Sequence, residues 1–138
     1  MICSKEIYDS GGRKGDERMK KTGRKDILEY AYETFGAVPE YPWVSSPKNA
    51  VLRHAGNRKW FAIIMEVSRS ALGLSGDGLV DVMNVKCNPE IVSFLQMKEG
   101  YLPAYHMNKS HWISILLGGA VEAEEIKNLL EMSYEMTS

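Results

Sequence analysis

The side chains with the most chemistry at close spacing lie between positions 103 and 112. This stretch, Pro-Ala-Tyr-His-Met-Asn-Lys-Ser-His-Trp, holds two histidines, a lysine, a tyrosine and a tryptophan within ten residues. Ordinary turns are rich in Gly, Ser and Asp, and ordinary strands are rich in Val and Ile. A basic and aromatic hairpin suits an anion or a stacked base. The stretch is therefore the first candidate for a binding surface.

The predicted surface joins this hairpin to one lysine at the end of a neighbouring strand. Lysines neutralise phosphates, and aromatic rings stack on bases with about 1–3 kcal/mol per base. In the alternative, the rings pack the hairpin and the lysines are simply solvated, since large aromatics mostly serve cores. The sequence leaves both interpretations open. The surface consists of Lys86, Tyr105, His106, Lys109, His111 and Trp112.

Metal and nucleophile chemistry are weaker interpretations of the same region. His106, His111 and Cys87 lack the paired, closely spaced ligands typical of zinc sites. Cys87 precedes a predicted helix start, which favours a thiolate, but it continues an apolar strand face, which favours a buried thiol. The glycine-containing segment 75–78 matches neither common phosphate-loop pattern. We therefore expect no metal, no cofactor and no catalytic residue.

Length and composition are those of an ordinary soluble domain, with 138 residues, 44% of them hydrophobic and 25% charged. Seventeen basic and eighteen acidic residues give a net charge of −1. This balance argues against strong non-specific DNA binding, which depends on neutralising several phosphates. Cys3 and Cys87 fall in unrelated segments, and no apolar leader follows the start of the chain. We expect a reduced, cytoplasmic protein without a membrane partner.

The chain divides into a short polar segment and one domain. Residues 1–22 have no hydrophobic period and include a Gly-Gly-Arg-Lys-Gly-Asp run, so we expect a flexible extension before a single domain over 23–138. Met19, followed by two lysines, resembles a natural start. We hypothesise that residues 1–18 extend the reading frame upstream, which a mass spectrum of the native protein with Met1 at its terminus would contradict.

Periodicity and turn signals predict the order helix, three strands, helix, two strands, helix. Apolar residues at helical spacing, with Asn88-Pro89 as an N-cap and first-turn proline, predict helices over about 24–35, 89–98 and 122–136. Strands are expected over 49–54, 59–66 and 79–86, and a long mobile loop over 67–78. The last two strands form a second hairpin, in which the segment at 103–112 leads into a return strand over 111–117. No βαβ alternation appears. The predicted fold is therefore α+β, with two layers, a largely antiparallel sheet and helices on one face.

Strand alternation predicts which side chains share a sheet face. In the second strand it places Phe61 and Ile63 on one face and Trp60 on the other. In the third strand it directs Asn84 and Lys86 away from the apolar residues that flank them, and in the last strand it does the same for Trp112. We therefore expect Trp112 beside Lys86 on the face that the helices leave open.

Several segments together resemble the MmcQ/YjbR family. The specific ones are Val-Lys-Cys-Asn-Pro-Glu at 85–90 and the Tyr-His-Met-Asn-Lys-x-His-Trp pattern within 103–112, with Ser-Tyr at 133–134. Tyr-Pro-Trp at 41–43 and Lys-Trp-Phe-Ala at 59–62 match more weakly. The resemblance covers about residues 24–136. It implies a compact α+β domain similar in fold to type III secretion chaperones and a presumed DNA-binding role, with no catalytic residues to carry over.

Three classes of function follow from these observations. Weak, salt-sensitive nucleic-acid binding through the six surface residues is the first expectation. A protein-interaction module or homodimer is the second, because secretion chaperones bind partner segments and an open sheet face carrying Trp60 or Trp112 could do the same. A small-molecule binder or enzyme around Lys86, His106 and Lys109 is the third, which an enclosed apolar pocket would favour.

Overall fold

A five-stranded antiparallel sheet with three α-helices on one face forms the part of the chain that the computed structural model describes, residues 22–138. The strand order across the sheet is β1-β2-β3-β5-β4. This confirms the predicted α+β class, whereas the extension predicted over 1–22 lies, except for Thr22, outside the described residues. The elements are α1 (Arg24–Phe35), β1 (Ala50–Arg53), β2 (Trp60–Ser68), β3 (Leu79–Lys86), α2 (Pro89–Leu95), β4 (Tyr101–Pro103), β5 (Trp112–Leu116) and α3 (Ala123–Thr137).

One sheet face is buried beneath the helices and forms the helix-covered core. Ile27 of α1, Leu95 of α2 and Leu130 of α3 pack there against the inward side chains of the sheet, among them Met83 and Ile113. These residues recur at helical spacing in α1 and α3 and at alternate positions in the strands, so each element hides its apolar side in one shared layer. In α3 the same layer also buries Ile126 and Leu129.

Cys87 belongs to this core and is fully buried. Burial raises the pKa of its thiol to about 11, because a thiolate would lose its hydration there. The thiol is therefore protonated at neutral pH, which agrees with a packing role for Cys87.

The opposite sheet face has no α-helix packed on it among the described residues, and loops cover it instead. We call it the open face. Its buried side chains are Val51, Ile63, Met65, Val67 and Val82. Partly buried side chains from the connecting segments (Trp43, Leu72, Tyr105 and Met107) and from strand ends (Trp60 and Leu116), rather than from α1–α3, pack against them. A loop cover leaves gaps that a helical layer closes.

A β-bulge in β2 changes the faces that simple alternation predicts. Leu52 pairs with Ala62 and Arg53 pairs with Trp60, so Phe61 has no partner on β1. An extra residue of this kind puts two successive side chains on one side of the sheet. Phe61 and Ala62 both lie in the helix-covered core, and Trp60 joins the open face. The predicted grouping of Phe61 with Ile63 is therefore wrong.

Ser133 of α3 satisfies the backbone groups at this bulge. Its hydroxyl donates to the Phe61 carbonyl oxygen (2.6 Å) and accepts the Lys86 N–H (2.9 Å). The pairing of β2 with β3 ends at Ala62 and Val85, so Ser133 replaces the next ladder contact. A buried backbone group without such a partner would cost about 1–3 kcal/mol. One helix side chain thus fixes the ends of both strands.

The segment predicted as a long mobile loop is more ordered than expected. β2 continues to Ser68, and a 3₁₀ turn follows at Ser70–Leu72. Arg69 closes the segment, because its N–H donates to the Gly78 carbonyl (3.0 Å) and its Nε donates to the Ser75 carbonyl (2.6 Å). Arg69 is therefore a structural brace, which the sequence did not indicate.

α2 ends at Leu95, three residues earlier than predicted, and a turn leads into β4. Gly100 is required in that turn, since its φ is +94° and a Cβ would lie 2.6 Å from the Val121 side chain.

None of the helices described between residues 22 and 138 has the length and apolar character of a membrane span.

Candidate functional site

The open face contains a cleft of about 260 Å³ between two pairs of aromatic rings. On one side, Trp43 and Trp60 meet edge to face with centroids 5.8 Å apart. On the other side, Tyr105 and His106 stack in nearly parallel planes, 4.0 Å apart. The cleft is lined by Trp43, Ser46, Asn49, Trp60, Ile63, Met65, Tyr105, His106 and Met107.

Tyr105 is held by a buried polar pair on the open face. Its N–H donates to the Ser114 hydroxyl (3.0 Å), and its carbonyl accepts the Asn84 amide (3.0 Å). The Ser114 hydroxyl in turn donates to Asn84 Oδ1 (2.5 Å). Asn84 and Ser114 are cross-strand neighbours of β3 and β5, and neither is accessible to solvent. Strand register therefore sets the position of the Tyr105 backbone.

His106 has a left-handed backbone with φ +60°. This conformation costs most residues about 1–2 kcal/mol, and strain of this kind often marks a functional segment. The His106 ring stacks on Tyr105 at this turn. The His106 side chain is exposed, and the Tyr105 ring is partly buried.

The tryptophan side of the cleft is anchored by an ion-pair cluster. The Glu40 backbone exchanges two hydrogen bonds with the Val51 backbone. Its carboxylate accepts hydrogen bonds from the guanidinium groups of Arg58 (2.9 Å) and Arg53 (2.9 Å). The hydrogen bonds from Arg58 and Arg53 hold the pKa of Glu40 below its ordinary value. The Arg53 guanidinium also lies 5.5 Å from the ring centre of Trp60. These contacts fix the segment that leads to Trp43.

Lys86 and Trp112 are directly opposite each other on β3 and β5. Both are partly exposed. Lys86 and Trp112 lie two residues along their strands from Asn84 and Ser114, so strand alternation places them on the same open face, as predicted. Lys86 also lies one residue beyond the last β2–β3 pair, at the strand end where Trp60 begins β2.

The remaining two predicted residues have separate positions. Lys109 is exposed, and its ammonium donates to the Ala104 carbonyl (2.8 Å), so it braces its own turn. His111 lies exposed in the turn before β5, and its carbonyl accepts the Cys87 N–H (2.9 Å). The structure therefore brings Tyr105 and His106 to the cleft and pairs Lys86 with Trp112. It places Lys109 and His111 on the adjoining turn.

The cleft also has polar groups at its edge. Asn49 Oδ1 accepts the Glu66 N–H (3.1 Å), but its amide nitrogen has no hydrogen-bond partner among the described residues. Ser46 contributes a hydroxyl nearby. No acidic residue is among the described lining residues. The edge therefore offers hydrogen-bond donors and an uncharged environment to a ligand.

Other chemistry is less well supported in the part of the chain described. Residues 22–138 contain no group of three or more potential metal ligands. His54 is a core residue, because its Nε2 shares a hydrogen bond with the Thr137 hydroxyl (2.8 Å) and its ring lies on Tyr134. A larger cleft of about 570 Å³ beside α1 is lined by two basic residues, Arg24 and Lys25, and two acidic ones, Glu29 and Glu33, so its charge selects neither an anion nor a cation.

Sequence reasoning missed most of the cleft. Trp43 appeared only as a weak motif match, and neither Asn49 nor Met107 was selected. Asn84 was assigned to the correct face, but its partner Ser114 was not recognised as part of a clamp. A buried Asn opposite a Ser on adjacent strands is the one signal that could have found it, and it requires the strand register to be known.

Comparison with known proteins identifies relatives for most of the chain. The YjbR family model matches residues 33–136. The uncharacterised protein YyaQ of Bacillus subtilis (strain 168) is 46% identical over 114 residues, which cover 83% of this chain and 97% of YyaQ.

Solved structures agree with the fold. A Pseudomonas syringae protein solved by crystallography has a TM-score of 0.82 at 42% identity, over 84% of this chain and 99% of its own. A Deinococcus radiodurans protein with a DUF419 domain has a TM-score of 0.63 at 21% identity, over 84% of this chain and 78% of its own. The second likeness concerns the fold alone.

Proposed function

The chain belongs to the YjbR family, and from that premise we propose that it binds single-stranded nucleic acid on its open face. The interface consists of the six residues selected from the sequence, Lys86, Tyr105, His106, Lys109, His111 and Trp112. The observation that carries the proposal is the pairing of Lys86 with Trp112 beside the Tyr105–His106 stack. It supplies a cation and flat rings on one surface.

The charge distribution favours single strands over duplexes. Six of the seventeen basic residues and four of the eighteen acidic ones lie before residue 22, so residues 22–138 carry an acidic excess. Non-specific duplex binding depends on many phosphate contacts, which such a domain lacks. Stacking on aromatic rings instead contributes about 1–3 kcal/mol per unpaired base. Only a strand with accessible bases gains that contribution.

The test is fluorescence anisotropy with labelled single- and double-stranded DNA at low and moderate salt. We expect the wild type to bind the single strand more tightly, and to bind more weakly as salt rises. Lys86→Ala should weaken binding and reduce the salt slope by roughly one phosphate contact. Trp112→Ala should weaken binding at both salt concentrations, because stacking does not depend on ions.

Two surface residues on the other side of the molecule provide matched controls. Lys25 and Tyr32 of α1 are exposed, so Lys25→Ala and Tyr32→Ala remove the same kinds of group away from the open face. Lys109→Ala is less specific, because it also removes the brace to Ala104. Equal effects of Lys86→Ala and Lys25→Ala, or no binding at low salt, would contradict the proposal.

A protein partner is the second candidate, and one observation favours it. Val44 is 96% exposed and Tyr41 is 49% exposed in the segment that carries Trp43. Neighbouring exposed apolar side chains of this kind are typical of contact surfaces. If this segment mediates self-association, sedimentation of the wild type should show a concentration-dependent dimer that Val44→Asp abolishes. A monomer at all concentrations would exclude the homodimer.

A further inference from the structure

We propose that the aromatic cleft on the open face captures one nucleobase and recognises its edge through the Asn49 amide. This inference rests on the proposed function for its choice of ligand and adds a specific site to it. The ligand class is a single flat nitrogen heteroaromatic ring, either within a strand or as a free nucleoside.

The dimensions of the cleft limit what can enter it. Its volume of about 260 Å³ is just below the range of about 300–1,000 Å³ that holds drug-sized ligands. One ring system therefore fits better than an extended molecule. Ile63 and Met65 supply an apolar floor, and the two aromatic pairs supply walls. Rings between aromatic walls are held by dispersion and by the electrostatics of their faces.

The position of Asn49 gives the site a means of selection. Its Oδ1 is occupied by the Glu66 N–H, which fixes the orientation of the side chain. Its amide nitrogen is thereby left as a donor at the edge of the cleft, with no partner among residues 22–138. A donor at that position prefers a base edge that presents a carbonyl or ring nitrogen acceptor. Bases that present only a donor there would leave the amide unpaired.

The charge around the cleft favours a base over other flat ligands. Lys86 lies at the same end of β2 as Trp60, and His106 forms part of the wall. A ring that carries a sugar and phosphate gains from this environment, whereas a cationic ring would not.

The three tryptophans of the chain allow the cleft to be observed by itself. Trp112→Phe leaves Trp43 and Trp60, which both line the cleft, as the fluorescent reporters. Trp43→Phe with Trp60→Phe leaves only Trp112 outside it. We would titrate both proteins with adenosine, guanosine, cytidine and thymidine, which carry no phosphate. Saturable quenching should be stronger and occur at lower nucleoside concentration in the first protein than in the second, which reports stacking on Trp112 alone and corrects for absorption by the nucleosides.

Asn49→Asp tests the proposed recognition of the base edge. The substitution keeps the oxygen that accepts the Glu66 N–H and replaces the amide donor, so the fold should be preserved. In the Trp112→Phe protein we expect the best nucleoside to weaken about 5- to 50-fold, because its acceptor loses the amide donor. A carboxylate only accepts hydrogen bonds, so the affinity order should change toward bases that present an amino donor. An unchanged order would overturn the role of Asn49.

Labelled strands separate this inference from the proposed function. One abasic position in each of several short strands should weaken binding, because both the cleft and Trp112 take up a base. Nucleic-acid binding that is weakened by Trp112→Ala and Lys86→Ala, together with no nucleoside quenching of Trp43 and Trp60, would overturn the inference and leave the proposed function standing. Nucleoside quenching without strand binding would overturn the proposed function and identify free nucleosides as the source of the ring. The absence of both would overturn both.

Discussion

On one face of the sheet, three helices bury a continuous apolar layer, and on the other, loops surround an aromatic cleft. The helix-covered core satisfies its polar groups internally, as Ser133 and His54 illustrate. The open face buries a polar pair too, but it uses Asn84 and Ser114 to hold a partly exposed ring. The difference teaches that among residues 22–138 the helix-covered face leaves no cleft between its strands and helices for a ligand, and under the proposed function recognition lies on the loop-covered side of the same strands.

Phe61 and Trp60 are adjacent in sequence and lie on opposite faces, so they provide the sharpest comparison. Phe61 is fully buried and contacts the rings of Phe35, His54 and Tyr134. We expect Phe61→Ala to lower the free energy of unfolding by about 3–5 kcal/mol. Trp60→Ala should cost about 1–2 kcal/mol, because its ring is only partly buried, while it abolishes ligand quenching.

Urea denaturation of both variants measures this difference, with the titrations above as the second readout. A larger loss of stability from Trp60→Ala than from Phe61→Ala would contradict the assignment of the two residues to different faces.

Ser133 links the faces, and its removal should affect both. Ser133→Ala would leave the Phe61 carbonyl and the Lys86 N–H without their partner. We expect a loss of about 1–3 kcal/mol in the free energy of unfolding. The Lys86 backbone also loses the contact that holds it in place, so binding of single-stranded DNA should weaken as well. Thermal denaturation and anisotropy on one preparation would test both effects.

Ser138→Ala is the matched control, because Ser138 is exposed at the chain end and bonds only locally to Glu135. If Ser133→Ala lowered stability without any change in strand binding, the bulge would not couple the two faces.

The pH dependence of stability tests whether Cys87 is shielded from water in the helix-covered core. The pKa of Cys87 is raised from about 9 to about 11 by burial. Between these values the folded protein keeps a proton that the unfolded chain releases, so stability falls as pH rises above 9. The expected loss at pH 11 is on the order of 2 kcal/mol relative to neutral pH.

The measurement is urea denaturation across this pH range for wild type and Cys87→Ala. The difference between their free energies of unfolding should shrink as pH rises, because the variant lacks the titrating thiol. A constant difference would mean that water reaches Cys87 in the folded protein.

His106 tests whether the open face stores backbone strain. Gly adopts φ +60° freely, so His106→Gly should be more stable than His106→Ala by about 1 kcal/mol. Both variants lose the stacked ring, and both should bind nucleosides more weakly. Equal stability of the two variants in thermal denaturation would argue against strain at this position.

The sequence predicted the parts of the fold that depend on local pattern. Helical spacing located α1 and α3, and Asn88-Pro89 located the start of α2. Regular alternation placed Lys86 and Asn84 correctly on β3. It failed at Trp60 and Phe61, because an extra residue in one strand reverses the pattern without leaving a local signal. Of the residues that line the cleft, sequence reasoning selected only Tyr105 and His106, which are adjacent in the hairpin.

By itself, the sequence determined the element order, the apolar sides of the elements and the family. It did so because hydrophobic period and turn chemistry act over a few residues. Only the tertiary structure decided that Trp43 and Trp60 meet Tyr105 and His106 across one cleft. That meeting depends on the bulge, the strand register and the Glu40 bridge, which join segments distant in the chain. Contacts of that range are set by packing the whole sheet, so no local pattern specifies them.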